Sequence, residues 1–395
     1  MEVRCAVSPR VADAIAALGR TEDVRFSPNN RRLAVAAFTR NRVAVLDIDI
    51  AMSGVGARVA LTGGVQLSSS ALKYPHGLDF IDDDTVLVAN RAGDVAIFKL
   101  PAGGVDARSC DVAPIQTWAA GGTSFLRAPG SVTVTRVGRD RREILICNNS
   151  GNSVTRHLLD VGAGCVVRSS EVLLRRWLDV PDGVAVSPDR QWIAVSNHGT
   201  HNVLLYENGP ALNEHADPDG ILRRVHYPHG LRFSSDGGHL FVADAGSPDV
   251  HVYAEDGAGW RGVRDPAATI TVMDESQFRS GQHNPQEGGP KGLDLDAGSN
   301  VLVVTSECQP LAFFDVRAML ERASVGNPDG EPDERSQREL RAREVSYELS
   351  IMEYSDAMRA RIMEREAEVA YLRNSWSWRI TAPLRRLYAA LQRFR

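Results

Sequence analysis

One unit recurs six times between residues 21 and 320, and this repeat constrains the fold more than any other feature. Five units are marked by a glycine that follows a turn and opens a strand. These glycines are Gly77, Gly130, Gly183, Gly230 and Gly292, at successive spacings of 53, 53, 47 and 62 residues. A sixth unit lies upstream in "TEDVRFSP", with Asp23 in the place of the glycine.

Each unit has the same internal order of strands and turns. In the fourth, the segments "GVAVS", "WIAVSN" and "NVLLYE" are separated by polar turns. Short strands at even spacing between Gly, Asn and Asp turns are typical of all-β repeats. No helical periodicity stands between the strands, which excludes a parallel βαβ sheet. Four strands in roughly 50 residues form a propeller blade, so the sequence predicts an all-β, six-bladed β-propeller over residues 1–320.

The two ends of the repeat region predict how the ring closes. The last unit, which begins at Gly292, has three strands and then enters a helical pattern at "RAMLERAS". The N-terminal "EVRCAV", Glu2 to Val7, alternates as a strand does. We expect this strand to complete the last blade, because closure removes two open sheet edges.

The blade phrases resemble a known superfamily. "VSPDRQWIAVSNHGTHNVLLYE" and "GLRFSSDGGHLFVADAGSPDVHVY" are similar to the six-bladed propellers of the NHL, YVTN-lactonase and gluconolactonase-like superfamily. The resemblance covers residues 1–320 and implies the propeller fold. It leaves the activity open, because enzymes and binding proteins both use such blades.

Polar residues recur at positions that should meet at one mouth of the central channel. Neighbouring strands are antiparallel, so the start of each first strand lies at the same end as the end of each second strand. "YPHGLDF" and "YPHGLRF" place two histidines three blades apart, where they should face each other. The residues before the glycines are Glu22, His76, Pro129, Asp182, His229 and Lys291. The second strands end at Asn90, Asn148, Asn197, His198 and Asp244.

Two imidazoles and two carboxylates at one opening predict a divalent-metal site with Glu22, His76, Asp182 and His229 as ligands. Calcium, zinc and manganese all remain open. The resemblance implies the same place, since the position before the glycine supplies metal ligands in gluconolactonase-like propellers. Glu22 and Asp182 match those motifs, and peptide-amidating lyases of similar architecture hold zinc through histidines in such turns. Two residues depart from the pattern of that family. Asp23 replaces the glycine after Glu22, and Lys291 adds a positive charge among the predicted ligands.

An alternative interpretation assigns these residues no ligand. Pro-x-Gly is a tight-turn sequence whose middle position tolerates any polar residue, which would leave only a polar rim. The strand-end asparagines could likewise satisfy nearby backbone groups.

The remaining site predictions concern a bound molecule and its chemistry. Asp244 or His198 would act as the acid or base of a hydrolase. The long 62-residue unit between Gly230 and Gly292 adds the loop "DESQFRSGQHNPQEGG" at the same mouth, as a rim or lid. Ligand contacts are predicted for Asn90, Asn148, Asn197, Lys291 and His283.

Beyond the repeat, the composition changes to a helical tail. We predict a polar linker over 321–338, a helix or coiled coil over 339–374 and a basic amphipathic segment over 375–395. The helix would bind a partner protein or a second copy, or else fold back on the propeller, and residues 383–395 would contact a membrane surface or a partner protein. "SWSWRITAPLR" is similar to the C-terminal extension of bacterial glycosyltransferases of surface-polysaccharide assembly, which implies association with that machinery.

Composition limits the partners and the compartment. A net charge of −5 gives no reason to expect nucleic acid. Five cysteines without a C-x-x-C pair indicate neither a disulfide framework nor a zinc knuckle. The N-terminus lacks the apolar core of a secretory signal. We therefore expect a cytoplasmic protein, or one held at the inner face of the cytoplasmic membrane.

Two functions remain open. In the first, the propeller binds a glycan, small molecule or protein at the channel mouth. In the second, the same residues form a divalent-metal-dependent lactone or ester hydrolase.

Overall fold

The computed structural model describes residues 2–54, 56–104, 107–118, 125–257, 259–283 and 286–323, and scattered helical residues between 341 and 371. The chain divides into two compact units, Met1–Val345 and Ser346–Arg395. The first is a six-bladed β-propeller, as predicted. The second contributes helical residues between 346 and 371.

The strands follow one another blade by blade. The N-terminal segment forms β1 (Cys5–Val7) and the helix α1 (Pro9–Ala16). Blade 1 contains β2 (Thr21–Phe26), β3 (Arg32–Ala37), β4 (Arg42–Ser53) and β5 (Gly56–Ser68). Blade 2 contains β6 (Pro75–Asp82), β7 (Thr85–Asn90) and β8 (Val95–Lys99); β9 (Arg108–Asp111) then pairs with β5, and β10 (Gln116–Trp118) completes blade 2. Blade 3 contains β11 (Pro129–Arg136), β12 (Arg141–Asn148), β13 (Ser153–Asp160) and β14 (Val166–Leu174).

The second half repeats this order. Blade 4 contains β15 (Pro181–Val186), β16 (Trp192–Asn197), β17 (Asn202–Glu207) and β18 (Gly220–Leu222). Blade 5 contains β19 (Pro228–Phe233), β20 (His239–Asp244), β21 (Asp249–Ala254) and β23 (Ala268–Thr271), with β22 (Gly262–Arg264) paired to β18. The helix α2 (Glu275–Gly281) precedes blade 6, whose described strands are β24 (Pro290–Leu295), β25 (Val301–Ser306) and β26 (Ala312–Asp315). The helix α3 (Val316–Ala323) follows.

The first strands of the blades form a closed ring around the channel. β2 packs against β6 and β24, and the contacts continue through β11, β15 and β19. The apolar core lies between neighbouring blades. On β4, Val43 and Val45 pack toward blade 2, whereas Ala44 and Leu46 pack toward blade 6. Alternate residues of a strand face opposite sides, so both faces of these strands are buried.

The N-terminal segment closes the ring in a shorter form than predicted. The backbone N–H of Val3 donates to the carbonyl of Phe313 at 2.7 Å, and Glu2 bridges to Phe314 in the last blade. The next residues leave that blade, and β1 pairs in parallel with β5 of blade 1. Closure therefore joins the last blade to the first instead of adding a full fourth strand.

The structure describes only a few of the residues to which the tail predictions apply. Helical residues between 341 and 371 fall inside the predicted helix over 339–374. Residues 324–340 and 372–395, which hold most of the linker and the basic segment, lie outside the described residues. The coiled coil, the membrane contact and the partners of the tail stay predictions. Among the described helices, none has the length and apolarity needed to cross a membrane.

Candidate functional site

The second residue of each innermost strand occupies an equivalent position, the mouth ring. Its members are Glu22, His76, Gly130, Asp182, His229 and Lys291. The sequence alignment on glycines placed Pro129 in this ring, and that assignment is wrong by one residue. Pro129 pairs with Asn148 as Pro75 pairs with Asn90, so Gly130 takes the ring position in blade 3. The next residue, Ser131, occupies the position at which most other blades have glycine, and this misled the alignment.

The four predicted metal ligands do meet at the mouth ring. The Nε2 atoms of His76 and His229 lie 3.8 and 3.6 Å from Oε2 of Glu22. The two imidazoles are stacked, with centroids 5.4 Å apart and planes inclined by 19°. All of these side chains, with that of Asp182, are buried. Residues far apart in the chain thus form one buried polar cluster.

Asp182 and His229 form the tightest pair in the ring. Nε2 of His229 lies 3.0 Å from Oδ2 of Asp182. Burial by itself lowers the pKa of His229, but the charge and hydrogen bond of Asp182 outweigh it and raise that pKa. Burial raises the pKa of Asp182, but His229 and His76 hold it well below its usual range. Both shifts favour the charged forms of the pair, an imidazolium beside a carboxylate.

Glu22 is surrounded by basic groups. Its Oε1 accepts a hydrogen bond from Nε of Arg20, and Oε2 lies 3.5 Å from Nζ of Lys291. Burial raises the pKa of Glu22, but Lys291, His76 and Arg20 together lower it to about 2. Oε2 is buried and has no hydrogen-bond partner among the described residues. A carboxylate that is held ionised, with one oxygen that accepts no hydrogen bond from the described residues, suits coordination of a cation.

His76 has a different partner. Nη2 of Arg91 lies 3.1 Å from its Nε2. A guanidinium can only donate, so Nε2 accepts and the ring is neutral with its proton on Nδ1. Burial first, and then the charge of Arg91, lowers the pKa of His76 to about 3.

Asn149 belongs to this cluster and was missed from the sequence. It opens the short 3₁₀ turn Asn149–Gly151 after β12, and its Nδ2 donates to Oδ1 of Asp182 at 2.8 Å. A Cβ at Gly130 would lie 2.3 Å from Oδ1 of Asn149. The amide thus fills the place that a side chain of blade 3 would occupy. The absent side chain at Gly130 is the signal that could have revealed it.

The long loop of the last unit supplies Glu287. Its carboxylate lies 3.2 Å from Nε2 of His198 and 2.8 Å from Nζ of Lys291. Burial raises its pKa, but the hydrogen bond from His198 and the charge of Lys291 hold that pKa far below its usual range. The predicted rim loop therefore reaches the cluster through this residue. His198 and Lys291, both predicted site residues, are brought to the mouth with it.

Four other predicted residues hold turns beside the ring. Each accepts a hydrogen bond from the backbone N–H two residues before the proline of its own blade. The four are Asn90, Asn148, Asn197 and Asp244, all fully buried. Asp244 also accepts from Gly246 N and lies 2.9 Å from Nε2 of His251. Their placement matches the turn-holding alternative; ligand contact by the asparagines and catalysis by Asp244 stay predictions.

His283 lies apart from the cluster. Its side chain is 72% exposed, and Nε2 is 3.7 Å from Oε1 of Glu307. The aromatic residues near the mouth include Phe38, which packs edge-on against His76 at 5.9 Å, and two tyrosines: Tyr74 is exposed, and Tyr227 packs on His198 with ring centroids 5.0 Å apart. Trp192 and Trp260 are buried between blades 4 and 5. Contact of His283 with a ligand stays a prediction.

Three of these side chains have the spacing of a metal site. One potential ligand atom each of Glu22, His76 and His229 lies within 4.8 Å of the others. Two imidazoles and one carboxylate are the protein ligands of many catalytic zinc sites. The donor set therefore fits a divalent cation.

Comparisons with known proteins add little to this geometry. The sequence matches no protein-family model and no curated protein. A solved protein of unknown function from Desulfotomaculum acetoxidans is 13% identical, with a TM-score of 0.49 over 79% of this chain and 90% of that chain. A structure provisionally named a gluconolactonase is 14% identical, with a TM-score of 0.48 over 76% and 89%. Likenesses of this size carry no argument about activity.

Proposed function

We propose that the mouth ring binds one divalent cation through Glu22, His76 and His229, and that the propeller binds a small oxygen-bearing ligand there. The observation that carries the proposal is the geometry around Oε2 of Glu22. This buried oxygen lies 3.6 and 3.8 Å from two imidazole nitrogens and has no hydrogen-bond partner among the described residues.

The distances fit zinc. Zinc binds nitrogen and oxygen at about 2.0–2.2 Å in a tetrahedron, which separates two ligand atoms by roughly 3.4 Å. The two observed separations exceed this value by a few tenths of an ångström. Calcium prefers six to eight oxygen ligands, which a set with two imidazoles does not supply. Of the three metals that the sequence left open, zinc is the one we propose.

The basic neighbours of Glu22 are compatible with a cation because each has another acid. Lys291 lies closer to Glu287, at 2.8 Å, than to Glu22, at 3.5 Å. Arg20 contacts Oε1 of Glu22 and lies 3.4 Å from Glu307, which leaves Oε2 to the cation. His229 must give up its proton to ligate, so binding should release a proton and tighten as pH rises.

Metal analysis tests this proposal. We expect about one zinc ion per chain after zinc loading and dialysis, and a loss of at least tenfold in affinity in His76→Gln and in His229→Gln. His283→Gln is the matched control, since its imidazole lies at the same rim outside the cluster, and it should bind as the wild type does. Zinc retained in the double variant His76→Gln/His229→Gln would overturn the proposal.

One observation supports hydrolysis as a second function of the same site. His198 is held through Nε2 by Glu287, while its Nδ1 is buried without a hydrogen-bond partner among the described residues and lies 4.0 Å from Asp182. An imidazole oriented by a carboxylate is the usual form of a general base. When bound, zinc would polarise a lactone or ester carbonyl and lower the pKa of a bound water.

A lactone and ester screen tests hydrolysis separately from binding. If His198 is the base, His198→Gln should keep its zinc and lose roughly 100-fold or more in kcat. Equal turnover by His198→Gln and the wild type would exclude this role.

A further inference from the structure

Arg91 occupies the nitrogen of His76 that the proposed cation needs. It follows Asn90 at the end of β7, and its backbone N–H donates to the carbonyl of Tyr74 at 2.9 Å. Its Nη2 donates to Nε2 of His76 at 3.1 Å. One lone pair cannot serve both a guanidinium and a metal ion. A cation at His76 therefore requires Arg91 to leave this hydrogen bond.

The guanidinium has unused capacity for an anion. Its Nη1 is buried and has no hydrogen-bond partner among the described residues. Among the described residues, the acid nearest to Nη2 is Asp182, at 4.0 Å, and before a cation binds Asp182 is paired with His229 at 3.0 Å. The side chain is 31% exposed at the mouth, so the guanidinium can move toward solvent. An arginine that has an N–H without a hydrogen-bond partner, and whose nearest acid is paired with another base, can bind an anionic oxygen.

We propose that Arg91 receives a carboxylate of the ligand and, by moving to it, releases Nε2 of His76 to the cation. This proposal rests on the proposed cation site and adds the chemical class of the ligand. A carboxylate matches the fork of a guanidinium with two parallel hydrogen bonds. A phosphate dianion fits less well, because one guanidinium is the receptor and Asp182 stands beside it.

The arrangement makes the two binding events cooperative. The carboxylate removes the competitor for His76, so it tightens the cation, and by linkage the cation tightens the carboxylate by the same factor. Arg91 opposes the cation when no carboxylate is present. Removing its guanidinium should therefore favour the cation and abolish the effect of the anion.

Zinc affinity of the full chain, measured by chelator competition in sodium acetate and in sodium chloride at equal ionic strength, tests the coupling. We expect acetate to tighten zinc binding to the wild type by at least about fivefold. Arg91→Leu should bind zinc in chloride at least as tightly as the wild type does, without a response to acetate. Arg127→Leu is the control, because Arg127 lies in the turn before β11 of blade 3 and its Nη1 donates to Leu126 O. It should respond as the wild type does.

A second measurement without zinc separates this proposal from the proposed cation site. Acetate should shift the imidazole resonances of His76 saturably in the wild type and not in Arg91→Leu, and phosphate should do so more weakly. If the shift occurs but no zinc binds, the cation site fails and the receptor stands. If zinc binds and acetate has no effect in either measurement, the receptor is overturned. An equal shift with phosphate would overturn the assignment to a carboxylate.

Discussion

His76 and His229 come from turns of identical sequence, Tyr-Pro-His-Gly, at the starts of β6 and β19. Both are buried, and both approach the same oxygen of Glu22, at 3.8 and 3.6 Å. Their acid–base character is opposite. The pKa of His76 is lowered to about 3 by burial and Arg91, whereas Asp182 raises that of His229 against the effect of burial.

The difference lies in what the neighbouring blades supply. Arg91 reaches His76 from the end of β7 in the same blade, and Asp182 reaches His229 from the preceding blade. Two imidazolium ions 5.4 Å apart in a buried site would repel each other. One neutral and one charged ring avoid this. The repeated turn fixes the position of each histidine, and the partner fixes its charge.

Asp182→Asn should remove the difference between the pKa values of His76 and His229, and it is the variant from which we expect the largest effect. Without the carboxylate, burial dominates at His229, and its pKa should fall from above to below the ordinary value of 6.5. Breaking a buried ion pair typically costs about 3–5 kcal/mol, so we expect a loss of roughly 3 kcal/mol of unfolding free energy at neutral pH. NMR titration of the imidazoles and urea unfolding measure the two effects.

Asp217→Asn is the matched control for this variant. Asp217 pairs with Arg176 at 2.9 Å on the exposed side of blade 4. Exposed pairs contribute little to stability, so the control should unfold as the wild type does. A pKa of His229 that stays raised in Asp182→Asn would show that another group holds its proton.

His76 and His229 should also make opposite contributions to the pH dependence of the unfolding free energy, an effect smaller than that of Asp182→Asn. His76 has a folded pKa near 3 and an ordinary value of 6.5. The unfolded chain therefore binds the extra proton between these values, and stability falls as pH falls. The loss amounts to roughly 3 kcal/mol between pH 6.5 and about pH 4. His229 has a raised folded pKa, so its contribution is complete below 6.5 and is lost as pH rises through the folded value.

Urea unfolding of His76→Gln and His229→Gln across this pH range measures the two signs. Relative to the wild type, His76→Gln should gain stability as pH falls below 6.5. His229→Gln should be most destabilised at low pH and should approach the wild type as pH rises. Parallel pH profiles for the two variants would mean that the histidines share one environment.

The fold could be predicted from the sequence because the repeat encodes it locally. Each blade takes most of its strands from consecutive segments of the chain, and the equivalence of the histidines of blades 2 and 5 follows from their spacing. The same reasoning failed at Pro129, because Ser131 replaces the expected glycine and only strand pairing shows the register. It also could not give the form of closure, which depends on how a few N-terminal residues divide between two blades.

The partners in the site were less predictable because they come from other turns. Arg91, Asn149 and Glu287 reach the ring from after β7, after β12 and from the loop before β24, and no periodic pattern marks them. The strand-end asparagines show the converse. Their position beside the mouth was predictable, but their side-chain oxygens accept hydrogen bonds from the backbone of the turns in their own blades. Position followed from the repeat, and chemistry followed from contacts between blades.

Replacing the tyrosine that opens each turn should give the smallest difference in unfolding free energy between the two turns. Tyr74 and Tyr227 both have left-handed backbone angles, with φ of +57° and +53°, which cost a residue with a side chain about 1 kcal/mol. Tyr74 is 49% exposed and meets Phe38 at 5.3 Å, whereas Tyr227 packs on His201 at 4.3 Å as well as on His198. In Tyr74→Gly, relief of strain should nearly balance the lost contact, for a change below about 1 kcal/mol. Tyr227→Gly should cost about 1–2 kcal/mol, because two aromatic contacts are lost. Urea unfolding of both variants gives the comparison, and equal losses would show that the turns differ in their histidines alone.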